Sequence, residues 1–242
     1  SNRPEVSRAT LSVARTPAEP EHARPDSVPQ LGTRLGWRDR VGGWGARWGF
    51  NRMVYTVEPG LYRIGQPDRQ SPVLVTANYK LTVDKLRAEL GGRNLWLLVL
   101  DTRGVNVWCA AGKGTFGTAE LTRRIEATNL HGVVDHRRLI LPQLGATGVA
   151  AHEVKRVSGV EVRYGPILAK DLPAYLANRL RTTPAMRRVR FGWKERLVLA
   201  PVELRGAAKP ALVIFLTMVA LDVIRHGRPT LGALSGFAPY LA

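Results

Sequence analysis

The sequence predicts an α/β domain on an open, largely parallel sheet, followed by an apolar helical region. Three observations carry this. Short apolar runs alternate with helical patterns from residue 71 to residue 180, the arrangement that builds parallel sheets through helical crossovers. A run from residue 207 to 224 is almost free of charge, and the 31 residues before it, 179–209, hold nine Lys/Arg against two Glu. Such a basic flank beside an apolar segment marks the cytoplasmic side of a membrane helix.

Residues 1–33 are rich in Pro, Arg, Glu and Ser without apolar periodicity, and are expected to be disordered. Residues 34–52 mix Trp37, Trp44 and Trp48 with glycines and with Arg34, Arg38, Arg40, Arg47 and Arg52. That mixture suits either single-stranded nucleic acid or a surface segment whose rings pack on the domain. The second is the expectation, with no nucleic-acid partner.

Strands are expected at residues 73–76, 95–100, 105–108, 139–141 and 160–164, and helices at 82–90, 118–128, 148–157 and 170–180. Thr82 and Asp171 suit helix starts. The segment 207–242 reads as the start of a membrane region, one helix and part of a second, with both ends of the chain cut. A buried core helix fits residues 207–224 equally well.

Composition narrows the function. The chain has 242 residues, 45% of them hydrophobic, and a formal charge of +17, which points to an anionic partner. Its single cysteine, Cys109, excludes an intramolecular disulfide and a cluster held by this chain's own thiolates. His22, His131, His136, His152 and His226 are scattered without metal-ligand spacing. Residues 112–117, GKGTFG, match a dinucleotide fingerprint in form. A phosphate loop fails, because Val107 stands where its first glycine is required. Cys109 itself reads as a thiol presented at a strand-to-helix turn, as a nucleophile paired with His136 or His152, or as a small buried hydrophobe.

Residues 106–118, NVWCAAGKGTFGT, resemble the cap-helix motif of the mercury-methylating corrinoid protein family (HgcA). The segments PGLY (59–62), SPVLVTANYK (71–80), LILPQLGATGVAAHEVK (139–155), Tyr164-Gly165-Pro166 and MRRVR (186–190) extend the resemblance in the same order. The large subunit of the corrinoid iron–sulfur protein of acetyl-CoA synthesis is a more distant likeness.

The resemblance implies a Rossmann-like corrinoid-binding domain over residues 34–206, facing the cytoplasm, on a truncated transmembrane region. It implies a base-off cobalamin with the Cys109 thiolate as cobalt's lower axial ligand. A methyl carbanion would then pass from methyl-Co(III) to Hg(II). Asn106, Val107, Trp108, Ala110, Ala111, Gly112 and Lys113 map onto the rest of the cap. Ala110, Ala111, Gly112 and Gly114, being small, are expected to let the backbone lie flat against the corrin. Thr76, Asn78, Gly145 and Thr147 are expected to hold the nucleotide tail, although ordinary turn chemistry also explains Asn78 and Thr147. Implied partners are a ferredoxin-like reductant with two four-iron four-sulfur clusters, an upstream methyl donor protein, Hg(II) and the membrane. A corrinoid carrier for another acceptor in one-carbon metabolism, or a nucleotide-binding oxidoreductase, are the alternatives.

Overall fold

The computed structural model describes residues 27–227 except 51, 53, 190, 191, 198 and 199. Five strands form one sheet in the order β1-β3-β2-β4-β5. They are β1 (Gly60–Ile64), β2 (Val73–Ala77), β3 (Leu95–Leu100), β4 (Arg138–Leu141) and β5 (Glu161–Tyr164). β2, β3, β4 and β5 run parallel, and β1 joins β3 antiparallel at the edge. β2 and β3 are buried along their whole length, which explains their unbroken apolar sequence where alternation would mark a one-sided sheet.

The order of the parallel strands dictates the layers. The chain steps from β2 to β3 in one direction, then returns past β2 to β4 and on to β5. Right-handed crossovers therefore send the first connecting helix to one face and the later ones to the other. Accordingly α2 (Lys80–Glu89) packs with α7 (Leu172–Ala177) around Leu74, Leu97, Val99 and Ile140. On the opposite face, α3 (Val107–Gly112), α4 (Thr118–Ala127), α5 (Leu130–Val133) and α6 (Ala151–Ser158) cover Val73, Val75, Leu98 and Leu139.

The structure corrects several expectations. Residues 105–108 are not a strand. Asn106 caps a helix instead, its Oδ1 accepting the Cys109 N–H at 2.9 Å, and this local bond overrides the β-preference of the two valines. Edge strand β1 was not expected at all. Residues 28–31, expected to be disordered, run beside β1: Leu31 donates its N–H to Arg63 O at 2.8 Å and packs on the core. Residues 1–26 lie outside the described residues.

Residues Trp37–Arg47 form helix α1. It is held by the Asp39 carboxylate, which bonds Lys80 at 2.6 Å and Arg87 at 2.7 Å. Gly42 rests against the Tyr55 ring, where a Cβ would stand 2.7 Å away. The expected packing of the tryptophan rings on the domain fails for Trp37, 70% exposed, and Trp44, 60% exposed, while Trp48 is half-buried. The short α8 (Trp193–Leu197) leads to α9 (Ala200–His226), which begins seven residues before the expected boundary. None of α9 is buried, so the core-helix reading does not hold. By length and composition it is a candidate membrane span. The expected second apolar run, 230–242, lies outside the described residues.

Candidate functional site

In a sheet of this order, the first parallel strand sends its two neighbours' connections to opposite faces. A crevice then opens beyond the carboxyl ends of that strand and the next one on the returning side. Here these are β2 and β4. A cleft of about 360 Å³ opens at that place, bounded by the ends of both strands, α2, the first turn of α3 and the loop after β5. Its wall is largely apolar, with Val75, Tyr79, Trp108, Leu141 and Pro142 among the residues that line it.

Helix α3 overlooks the cleft because of its own sequence. Val107, Ala110 and Ala111 point into the core, while Trp108, Cys109 and Gly112 are exposed. At ~100° per residue the three exposed residues share one arc of the helix. Cys109 is therefore not a buried hydrophobe. It sits inside a helix rather than straight after a strand, on the third residue after the cap. A Cβ at Gly112 would meet no atom within 4 Å, so that face is open.

Two hydrogen-bonded braces hold the helix in place. Asn78, one residue beyond β2, accepts on Oδ1 from Thr102 N at 3.1 Å, Thr102 Oγ1 at 2.8 Å and Gly104 N at 3.0 Å. Its Nδ2 donates to Asp101 at 3.4 Å. Asn78 thus ties the end of β2 to the loop that delivers α3, and its polar atoms are spent within the protein. On the other side the turn Gln143–Gly145 packs on α3. A Cβ on Gly145 would lie 2.6 Å from the Phe116 ring, and one on Gly148 would lie 2.1 Å from Phe116 O and 3.0 Å from Ala111 Cα.

These contacts sort the sequence-derived residues. Asn106, Val107, Trp108 and Thr76 line the cleft, and Cys109 and Gly112 lie on the open face of the same helix. Lys113 is exposed just past the helix end, and Gly114 adopts φ +77° there. Ala110 and Ala111 turn their methyl groups into the core, away from the open face of the helix. Gly145 is a packing glycine, and Thr147 is exposed in the turn beyond it, away from the cleft wall.

Thr76 is 1% exposed and its Oγ1 has no hydrogen-bond partner, and Gln143 Oε1 is similarly buried without one. Buried polar atoms are normally paired. One such hydroxyl on a cleft wall is a ready contact for a ligand. Tyr79, at the strand end expected to hold the tail, lines the cleft, whereas sequence reasoning missed Lys85 and the loop 165–168. Lys85 is the charged residue among those lining the cleft, and its place on the first helix after the switch strand was the signal available.

Comparison with known proteins places the chain in a family. The family model for the CO dehydrogenase/acetyl-CoA synthase delta subunit matches residues 51–176, just over half of the chain. The acetyl-CoA decarbonylase/synthase complex subunit gamma of Methanopyrus kandleri is 38% identical over 50% of this chain and 26% of its own length. The subunit gamma of Methanocaldococcus jannaschii is 40% identical over 40% of this chain and 20% of its own length. The corrinoid/iron-sulfur protein large subunit of Moorella thermoacetica is 30% identical over 69% of this chain and 34% of its own length. The chain thus spans about a third or less of each of these relatives. The likeness that ranked as the more distant in the sequence is the one these matches carry.

Proposed function

Because the chain belongs to the CO dehydrogenase/acetyl-CoA synthase delta subunit family, we propose that it is a corrinoid methyl carrier of one-carbon metabolism. The observation that carries this reading is the exposed Cys109–Gly112 face of α3 beside an apolar cleft at the strand-order switch point. The residues present fit a base-off cobalamin. Cys109 Sγ is accessible, Gly112 leaves room for a flat macrocycle, and Thr76 Oγ1 is an unpartnered buried hydroxyl. The cleft is too small to engulf a corrin and is sized for its nucleotide tail.

When bound, the corrinoid supplies a cobalt that accepts, holds and releases a methyl group. The chain's own residues bind and orient it. Cys109 is the residue that would hold the cobalt, and its sulfur would donate electron density to the metal; ligand identity is a main lever on such cofactors. Asn106 fixes the turn that carries that sulfur. Trp108 and the apolar wall would exclude water from the bound group. Lys85 serves the phosphate of the tail. A separate protein with two four-iron four-sulfur clusters supplies electrons, and a methyl donor protein loads the carrier. Equilibrium binding of cobalamin, followed by absorbance, tests the reading: saturable uptake at one cobalamin per chain supports it, and absence of uptake refutes it.

A second reading takes Hg(II) as methyl acceptor, with the domain held at the cytoplasmic face of a membrane. Two features support it. The cap Asn106-Val107-Trp108-Cys109 presents an exposed thiol, and α9 lies outside the region matched by the family model. Its test is the acceptor: methylmercury formed by the methylcobalamin-loaded protein, and lost in Cys109→Ala, favours mercury. Methyl transfer confined to one-carbon acceptors favours the carrier.

A further inference from the structure

Helix α1 has three distinct sides. Asp39, Gly42 and Ala46 form the side facing the protein: Asp39 is ion-paired to Lys80 and Arg87, Gly42 touches Tyr55, and Ala46 is 1% exposed. Trp37, Val41, Trp44 and Trp48 follow one another at spacings of four, three and four. At ~100° per residue they fall within an arc of about 60° on the opposite side. Trp37, Val41 and Trp44 are 58–70% exposed. Arg38 flanks this stripe on one side and Arg40 and Arg47 on the other, all exposed.

The stripe is also located relative to α9. Arg205, in the second turn of α9, stacks over the Phe50 ring at 4.4 Å and donates to the carbonyls of Trp48 and Gly49. The uninterrupted apolar run of α9 begins at Pro210, five residues and about 7–8 Å further along the axis. The end of α1 therefore lies beside α9 just outside its apolar stretch. If α9 crosses a bilayer, that is headgroup depth, where tryptophan rings concentrate and where in-plane amphipathic helices bury their apolar faces by about 5–10 Å.

We infer that α1 is an in-plane membrane-interface helix: its Trp37–Val41–Trp44 stripe enters the headgroup boundary of an anionic bilayer, and its flanking arginines engage lipid phosphates. Arg205 couples this helix to α9, so the corrinoid cleft is held at a fixed height and tilt over the surface rather than on a free tether. The inference rests on the membrane placement of α9 in the second functional reading, and not on the cofactor.

The test places a nitroxide at single cysteines in the full chain on a Cys109→Ala background. The protein is reconstituted in vesicles of phosphatidylcholine with phosphatidylglycerol, and collisions with oxygen and with a water-soluble nickel chelate are compared. Val41→Cys, Val157→Cys on α6 and Val213→Cys on α9 are the three positions. The account expects oxygen to dominate at Val213 and, by several-fold over Val157, at Val41. Oxygen dominance at Val213 with a water-exposed Val41 would overturn the α1 assignment and leave the α9 reading intact. A water-exposed Val213 would overturn both. A Val41 label that stays aqueous in vesicles but is immobilised by a single-stranded oligonucleotide or a second protein would assign the stripe to that partner instead.

Discussion

Asn106 Oδ1 accepts the Cys109 N–H at 2.9 Å, so the residue that starts α3 also fixes the residue that carries its thiol. In a helix of six residues this cap is a large share of the local order, because such short helices do not persist unaided. Replacing it, Asn106→Ala, is expected to cost about 1 kcal/mol and to weaken cobalamin binding. Asn106→Asp keeps the acceptor and is expected to restore both. Urea unfolding with parallel cobalamin titrations checks the pair.

Thr76 gives effects of opposite sign. Its hydroxyl is buried and unpartnered, a burden that the nearly isosteric Thr76→Val removes. The variant without cofactor is expected to be as stable as wild type or more so, by up to about 1–2 kcal/mol. Its affinity for cobalamin is expected to fall several-fold. A variant that loses stability while binding cobalamin normally would show that the hydroxyl serves the fold.

Two glycines separate packing from binding. Gly148→Ala puts a Cβ 2.1 Å from Phe116 O, forcing the loop off α3, and is expected to destabilise by about 1–3 kcal/mol. Gly112→Ala meets nothing within 4 Å and gains helix propensity of up to about 1 kcal/mol. It is expected to fold at least as well as wild type yet bind cobalamin more weakly, since the new methyl would stand where the proposed macrocycle would rest. Thermal melts and binding isotherms together decide this.

The attachment of α1 is expected to depend on pH. The hydrogen bond from Lys80, reinforced by Arg87 and opposed by desolvation, lowers the Asp39 pKa from 3.8 to about 2. A depressed carboxylate contributes stability above its unfolded pKa and loses it as pH falls through the folded one. The contribution is therefore complete above about pH 5 and fades between about pH 4 and pH 2. Its size is at most about 2 kcal/mol before solvent screening and less after it. The stability gap between wild type and Asp39→Asn is expected to be largest near neutrality and to close in that window, measured by urea unfolding at stepped pH.

The parallel core was legible because β2 and β3 are continuous apolar runs, and the place of a crevice at the carboxyl ends of the strands followed from strand alternation. Strand β1 was not, since Gly60–Ile64 is a short edge strand between β3 and the irregular segment 28–31. Residues 105–108 misled because Val105 and Val107 favour strands, while the bond that makes them helical runs through the Asn106 side chain. Asn78 and Thr76 sit two residues apart at one strand end, and nothing local says that one is consumed by the loop Asp101–Gly104 while the other is left unpaired. The Trp37–Val41–Trp44–Trp48 stripe has helical spacing in the sequence, but Gly42, Gly43 and Gly45 within it weaken the helical signal. Its exposure depends on Asp39 turning inward.

The most direct test is the optical and EPR spectrum of the chain loaded with cobalamin, wild type beside Cys109→Ala. The account predicts a base-off cobalamin with sulfur ligation in the wild type, lost in the variant while the cofactor stays bound through the cleft. No cobalamin uptake, or the same spectrum from both proteins, would contradict it.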